Sequence, residues 1–260
     1  SEPSPQRTPV LFQAGSSEAG RAFGGRHAEA IFVGGYDYTS YRDVITDVRR
    51  QAIMNGRDEG DVKAYAMAVI IVGRTRIEAQ RKADEYARLS RAEGYLAHAG
   101  GGGIDLARYP KDMLMTDVLE AELRAGRDHR GRTRFYRSAG TVADALREIT
   151  RFDRPPFVAI GTPTDVADKI QEWVEQTGLD GFNLRQFLTP GTAEDFIELV
   201  VPELQRRGLY RTSYEEGTLR ERLFGAGRAR LPESHPGARY RGGANLGTDE
   251  TLTLTGVGAG

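Results

Sequence analysis

The stretch Gln13-Ala14-Gly15-Ser16-Ser17-Glu18-Ala19-Gly20 has the residue types of an anion-holding turn. It follows a short apolar run, Val10-Leu11-Phe12-Gln13, and precedes a helix expected from about Ser17 to His27. Free backbone N–H groups at a helix start, helped by the macrodipole, favour a phosphate or carboxylate. Gly15 lets the backbone approach a ligand closely, and the Ser16 and Ser17 hydroxyls can donate to phosphate oxygens. The same residues read equally well as an ordinary helix cap, with Ser16 or Ser17 satisfying the first turn. The Gly-Lys-Ser/Thr ending of a P-loop and the three-glycine dinucleotide fingerprint are both missing.

His98 is the second residue with chemical potential, in Leu96-Ala97-His98-Ala99 followed by four glycines, Gly100 to Gly103. A histidine beside such a run can contact a ligand and move protons near neutral pH. The plainer reading, a helix-terminal histidine favoured by the dipole with glycines as a stop, is preferred on the residues alone. His27, His129 and His235 stand apart, and none has metal spacing with another His, Asp or Glu. Gly161-Thr162-Pro163-Thr164 could form a second anion turn but is read as a plain capped helix start. Trp173 falls on an apolar helix stripe and is read as core.

The bulk numbers narrow the function classes. The 260 residues suffice for one α/β barrel or two smaller domains. Lys+Arg 36 against Asp+Glu 37 leaves a net charge of −1, which gives no footprint for nucleic acid or an anionic membrane. With no cysteine, disulfides and thiolate chemistry are excluded. No apolar run approaches the roughly 20 residues of a membrane span, and Ser1-Glu2-Pro3-Ser4-Pro5 lacks a signal pattern. A cytoplasmic protein, processed or truncated at its N-terminus, is the expectation.

The elements around these residues alternate. Strands are expected at Val10–Gln13, Ala30–Val33, Ala64–Val72 and Gly181–Phe187. The third is nearly continuous in apolar residues, as a strand buried on both faces requires. Helices are expected at Ser17–His27, Ser40–Asn55, after Thr75 to about Glu93, near Thr141–Thr150, at Pro163–Thr177, and at Thr192–Arg207 with a kink at Pro202. Phe157–Ile160 is a short strand or extended segment. Repeated strand and helix imply parallel βαβ units. Four such units fit either an open doubly wound sheet or half of a (β/α)8 barrel.

Several segments together resemble one family. Ser4-Pro5-Gln6-Arg7-Thr8-Pro9-Val10 leading into Gln13–Ser17 is similar to the lead-in of the fifth barrel strand in luciferase-like flavin-dependent monooxygenases, in the nitrilotriacetate, dimethyl-sulfide and long-chain alkane group. Arg26–Phe32, Gly161-Thr162-Pro163, Gly178–Leu184, Asp195–Leu204 and Leu209–Arg220 resemble the same family, and Leu96-Ala97-His98 resembles its alkane branch.

The resemblance implies an α/β fold, the C-terminal half of a (β/α)8 barrel comprising strands five to eight, with a long insertion before the last strand. Residues 1–209 would be the partial barrel, 94–180 its insertion, 210–241 a family extension, and 242–260 a disordered tail. It implies reduced flavin mononucleotide (FMNH2) supplied by a separate reductase. It also implies O2, a flavin C4a-hydroperoxide and a small organic substrate such as a long-chain alkane. Ala14, Gly15, Ser16 and Ser17 match flavin-phosphate positions, and His98 matches an active-site histidine. An open half-barrel exposes two sheet edges, so a homodimer is expected. A non-catalytic half-barrel that binds phosphorylated ligands is the alternative from a different class.

Overall fold

The structure is a computed structural model that describes residues 2, 4–99, 104–127, 140–151 and 156–240. His129, the glycines at 100–103, most of the arginine-rich segment and the 242–260 tail lie outside the described residues. The chain is an α/β fold with strand order β1-β2-β3-β4 and β5 also on β3. It forms two compact units, with β3 passing from one into the other.

The first unit holds Ser1–Tyr65, Thr177–Gly181 and the stretch that begins at Ser213. Strand β1 (Phe12–Ala14) pairs in parallel with β2 (Ala30–Val33), setting Phe12 beside Ala30 and Ala14 beside Phe32. The first strand sits about two residues later than the apolar run suggests, because Leu11 O instead accepts from Glu29 and Ala30 N–H before the ladder starts. Helix α1 (Glu18–His27) and helix α2 (Tyr38–Met54) cover one sheet face. The α2 stripe buries Tyr41, Ile45 and Val48, as its 3.6-residue period requires. The two helix backbones meet at Gly25. A Cβ there would lie 2.4 Å from Gln51 Cβ and 2.8 Å from Val48 O, so only glycine permits the approach.

Strand β3 (Lys63–Val72) starts in this unit and takes its register from Asp180. Lys63 N–H donates to Glu29 O at 2.9 Å, and Asp180 N–H to Ala64 O at 2.9 Å. The Asp180 carboxylate accepts from Ala64 N–H and Arg49, both at 2.9 Å, and pairs with Lys63 at 3.2 Å. On the uncovered face, Phe12 stacks on Phe32 with centroids 5.6 Å apart and lies 6.1 Å from Tyr65. Phe12 is 48% exposed and Phe32 37%, an aromatic face without a cover among the described residues.

The C-terminal stretch returns over the start of the chain. Helix α10 (Leu219–Phe224) carries Arg220 into the interior, where it pairs with Glu29 at 2.7 Å. His235, also buried, holds one tautomer. Its Nδ1 accepts from Gly237 N–H at 2.9 Å, so Nε2 carries the proton and donates to His27 O at 2.9 Å. Burial holds the pKa of both His235 and His27 below the ordinary value of 6.5. The unfolded chain therefore takes up protons first as pH falls. The stability this contributes is full above about pH 6.5 and is lost as pH drops through that value toward the folded one. The melting temperature should fall between about pH 8 and about pH 5.5, and His235→Gln should flatten the fall. An equal slope in the variant would remove His235 from the effect.

The second unit holds Ala66–Gln176 and Phe182–Thr212. Here β3 residues Ala68–Val72 are all buried and pair in parallel with β4 (Phe157–Gly161), from Ala68 beside Phe157 to Val72 beside Gly161. Strand β5 (Gly181–Arg185) stops two residues short of the expected run. Helix α3 (Arg76–Leu89) is capped by Thr75, whose Oγ1 accepts from Glu78 N–H at 3.1 Å. It ends earlier than its charged pattern suggests, at Ser90, and α4 (Ala92–Ala99) is a separate helix. Helix α7 (Pro163–Thr177) begins as a plain capped start: Thr162 and Asp165 bond each other's backbone N–H at 3.0 and 3.3 Å. Arg76 grips Asp165 with two bonds of 3.0 and 2.6 Å, which with Thr162 holds that carboxyl far below the usual range. Trp173 is core, its ring edge-on to Phe157 at 5.5 Å.

Within 104–150 the structure has a helix that the sequence pattern did not announce, α5 (Met115–Arg124). With α6 (Val142–Thr150) it closes a small core of Ile104, Leu106, Met115, Val118, Val142, Ala145 and Ile149. Buried Glu122 accepts from Tyr109 OH at 2.6 Å and from Arg127 at 2.7 and 2.8 Å. The expected kinked helix is α8 (Gly191–Asp195), a π turn (Phe196–Val200) and α9 (Val201–Arg206). The π turn re-routes hydrogen bonds just before Pro202, which has no N–H to give.

Candidate functional site

The turn after β1 forms because β1 must hand over to α1 within three residues. Ser17 is the N-cap: its φ and ψ are extended, and its Oγ accepts from Gly20 N–H at 3.1 Å. The capping reading is therefore correct, and it leaves the hydroxyl proton of Ser17 free to donate elsewhere. Backbone N–H groups of the first helical turn have no intrahelical acceptor, and Ala14, Gly15, Ser17, Glu18 and Ala19 are all exposed. Ser16 Oγ faces the next loop, where Gly34 N–H approaches it at 3.4 Å. Ala14, Gly15, Ser16 and Ser17 thus form one open, donor-lined turn at the C-terminal end of a strand.

Two residues that shape this turn had no role in the sequence reading. A Cβ on Gly20 would lie 2.9 Å from Gly15 O, so the turn rests directly on the first turn of α1. Its signal was present as the last glycine of the stretch. Arg21 braces the turn from behind: Nη1 donates to Ser16 O at 2.6 Å while Nε binds Asp47. The hydrogen bond from Arg21 holds the Asp47 carboxyl below its ordinary range, so the brace stays ionised. Its spacing, four residues after Ser17, is a weak signal that points as readily to a solvated helix face. Beneath the turn lies Gln13, whose Nε2 would sit 2.8 Å from a Cβ on Gly15. Gln13 Oε1 is buried with no hydrogen-bond partner. The residues present fit a phosphate: exposed donors, no room for a larger residue at Gly20, and a fixed cation behind. Glu18 in the same turn is also exposed.

His98 lies near the C-terminal end of α4, in the second unit, and its side chain is outside what is described. The neighbouring Leu96 packs against the small core. Among the described residues no group of three or more His, Asp or Glu side chains could hold a metal, and no helix is long and apolar enough to cross a membrane.

Comparison with known proteins gives the geometry a context. The profile of the family described as luciferase-like monooxygenase matches residues 1–181. The chain is 45% identical over 242 residues to the long-chain alkane monooxygenase of Geobacillus thermodenitrificans strain NG80-2, covering 92% of this chain and 50% of that protein. It is 38% identical over 244 residues to the dimethyl-sulfide monooxygenase of Hyphomicrobium sulfonivorans, covering 92% and 50%. Among solved structures, a long-chain alkane monooxygenase superposes with a TM-score of 0.76 at 44% identity, over 93% of this chain and 51% of that one. A riboflavin lyase with modified FMN and riboflavin superposes with a TM-score of 0.72 at 38% identity, over 92% and 52%. The chain spans about half the length of the curated relatives it matches.

Proposed function

This chain belongs to the luciferase-like monooxygenase family, and we propose that it is the C-terminal half of a flavin-dependent monooxygenase barrel whose Ala14–Ser17 turn holds the flavin phosphate. The observation that carries the reading is the turn itself, exposed, donor-lined and braced by Arg21 at the end of a strand. The exposed, stacked rings of Phe12 and Phe32 support the half-barrel, since in a closed barrel inward-facing strand residues pack against the remaining strands. Residues 1–209 make the partial barrel, 94–180 the insertion that shapes the pocket, and 210–241 the extension that locks the strand lead-in.

Reduced FMN, when bound, supplies the electrons that activate O2. The protein's part is to fix the phosphate through Ser16, Ser17 and first-turn N–H groups, and to shield the reacting end from water. His98 is proposed as the active-site histidine, acting either as a proton donor or as a hydrogen-bond partner of the reacting oxygen. The substrate is a small organic molecule such as a long-chain alkane. A separate reductase delivers the flavin, the working form is a homodimer, and the compartment is the cytoplasm.

The test uses a polypeptide that carries the complete barrel. Ser17→Ala should weaken FMN binding in a fluorescence titration by about tenfold, the worth of one charge-assisted bond. His98→Ala should lower substrate oxygenation with FMN affinity intact. Unchanged affinity in the first variant removes the phosphate assignment, and full turnover in the second removes His98 from the chemistry.

A further inference from the structure

A cavity of about 510 Å3 opens at the opposite end of β1 from the Ser16–Ser17 turn, and nothing in the proposed oxygenation uses it. One wall is Gln6, Arg7 and Thr8; the other includes Arg230, Leu231 and Tyr240. Both arginines are exposed, and among the described residues neither guanidinium has a partner. Arginines left unpaired on one cavity are unusual in a chain where so many others are bonded to acids or carbonyls. Gln6 Oε1 is buried and lacks a donor, which costs stability unless something supplies one. Arg7 holds φ 63°, a left-handed conformation that costs an arginine energy and persists only where the surroundings impose it.

The surroundings do impose it. Fully buried Arg220 donates to Gln6 O at 3.3 Å, to Thr8 O at 2.8 Å and to Ala229 O at 3.0 Å. One guanidinium thus clamps the backbone of both cavity walls and fixes the distance between them. Leu231, buried, and the Tyr240 ring supply apolar surface. We infer that this cavity binds a small organic acid, with its carboxylate between Arg7 and Arg230, its apolar body on Leu231 and Tyr240, and a hydroxyl donating to Gln6 Oε1. Planar guanidinium pairs suit carboxylates, and the orphaned amide oxygen selects an acid that also carries a donor.

The probe is 4-hydroxybenzoate, with benzoate and phenol as controls, titrated into the full chain by calorimetry and followed by thermal melts. The wild type should bind 4-hydroxybenzoate, bind benzoate more weakly, and leave phenol unbound. Arg7→Gly is the informative variant, because glycine suits φ 63° and the unliganded protein should melt no lower than wild type. It should still lose about tenfold or more in affinity. Arg230→Ala should lose a similar factor. Failure of the wild type to bind either acid, or wild-type affinity in both arginine variants, overturns the proposal.

Discussion

Replacing Arg220 with Ala is expected to cost about 3–5 kcal/mol of stability, because it leaves a buried carboxylate without its counter-ion. The arginine has no solvent exposure, and its side chain reaches acceptors far apart in sequence. Nε and Nη2 bind the two Glu29 oxygens at 2.7 and 3.1 Å. Nη1 donates to Gln6 O and Ala229 O, and Nη2 also reaches Thr8 O and Pro9 O, one of its N–H groups being shared between acceptors. Glu29 in turn accepts from Leu11 N–H at 3.1 Å, so the pair anchors the lead-in of β1. Alanine would strand the acid and four carbonyls at once. Arg220→Lys should fall between, since an ammonium cannot reproduce the planar fork. Denaturant unfolding followed by far-ultraviolet circular dichroism reads the loss, and a cost within about 0.5 kcal/mol, as for an ordinary surface substitution, would contradict the clamp.

Ser17→Asp is expected to keep the helix and abolish phosphate recognition. Aspartate caps a helix as well as serine does, so the melting temperature should stay close to wild type. A carboxylate placed at the proposed phosphate position would repel the anion. At about 4 Å and an effective dielectric constant of about 20, one pair of like charges costs about 4 kcal/mol before solvent screening. With the site exposed, a loss of about a hundredfold in FMN affinity is the expected result. The variant separates the cap that Ser17 makes from the phosphate contact proposed for it, since a cap alone would tolerate it.

What the sequence made legible was the locally encoded part. Ala30–Val33 and Ala64–Val72 are apolar runs with no competing helical period, and both are strands. The α2 stripe and the Thr162-Pro163 start carry their own signals and appear where expected. Helix α5 did not announce itself, because Met115, Val118 and Leu119 make only one short stripe among charges. That stripe gains its burial from Val142, Ala145 and Ile149 across an intervening segment. Arg220 and Glu29 are 191 positions apart, and nothing local marks either as buried. At the site, serines and glycines beside a strand were enough to locate the turn. Arg21 and Gly20 become visible only when the carbonyls of Ser16 and Gly15 are in place.

The most direct test compares FMN with riboflavin, which differs only in lacking the phosphate, in titrations of a polypeptide that completes the barrel. The wild type should prefer FMN by about tenfold or more, and Ser17→Asp should remove that preference or reverse it in favour of riboflavin. Equal affinity of the wild type for the two flavins would contradict the assignment of the Ala14–Ser17 turn as the phosphate site.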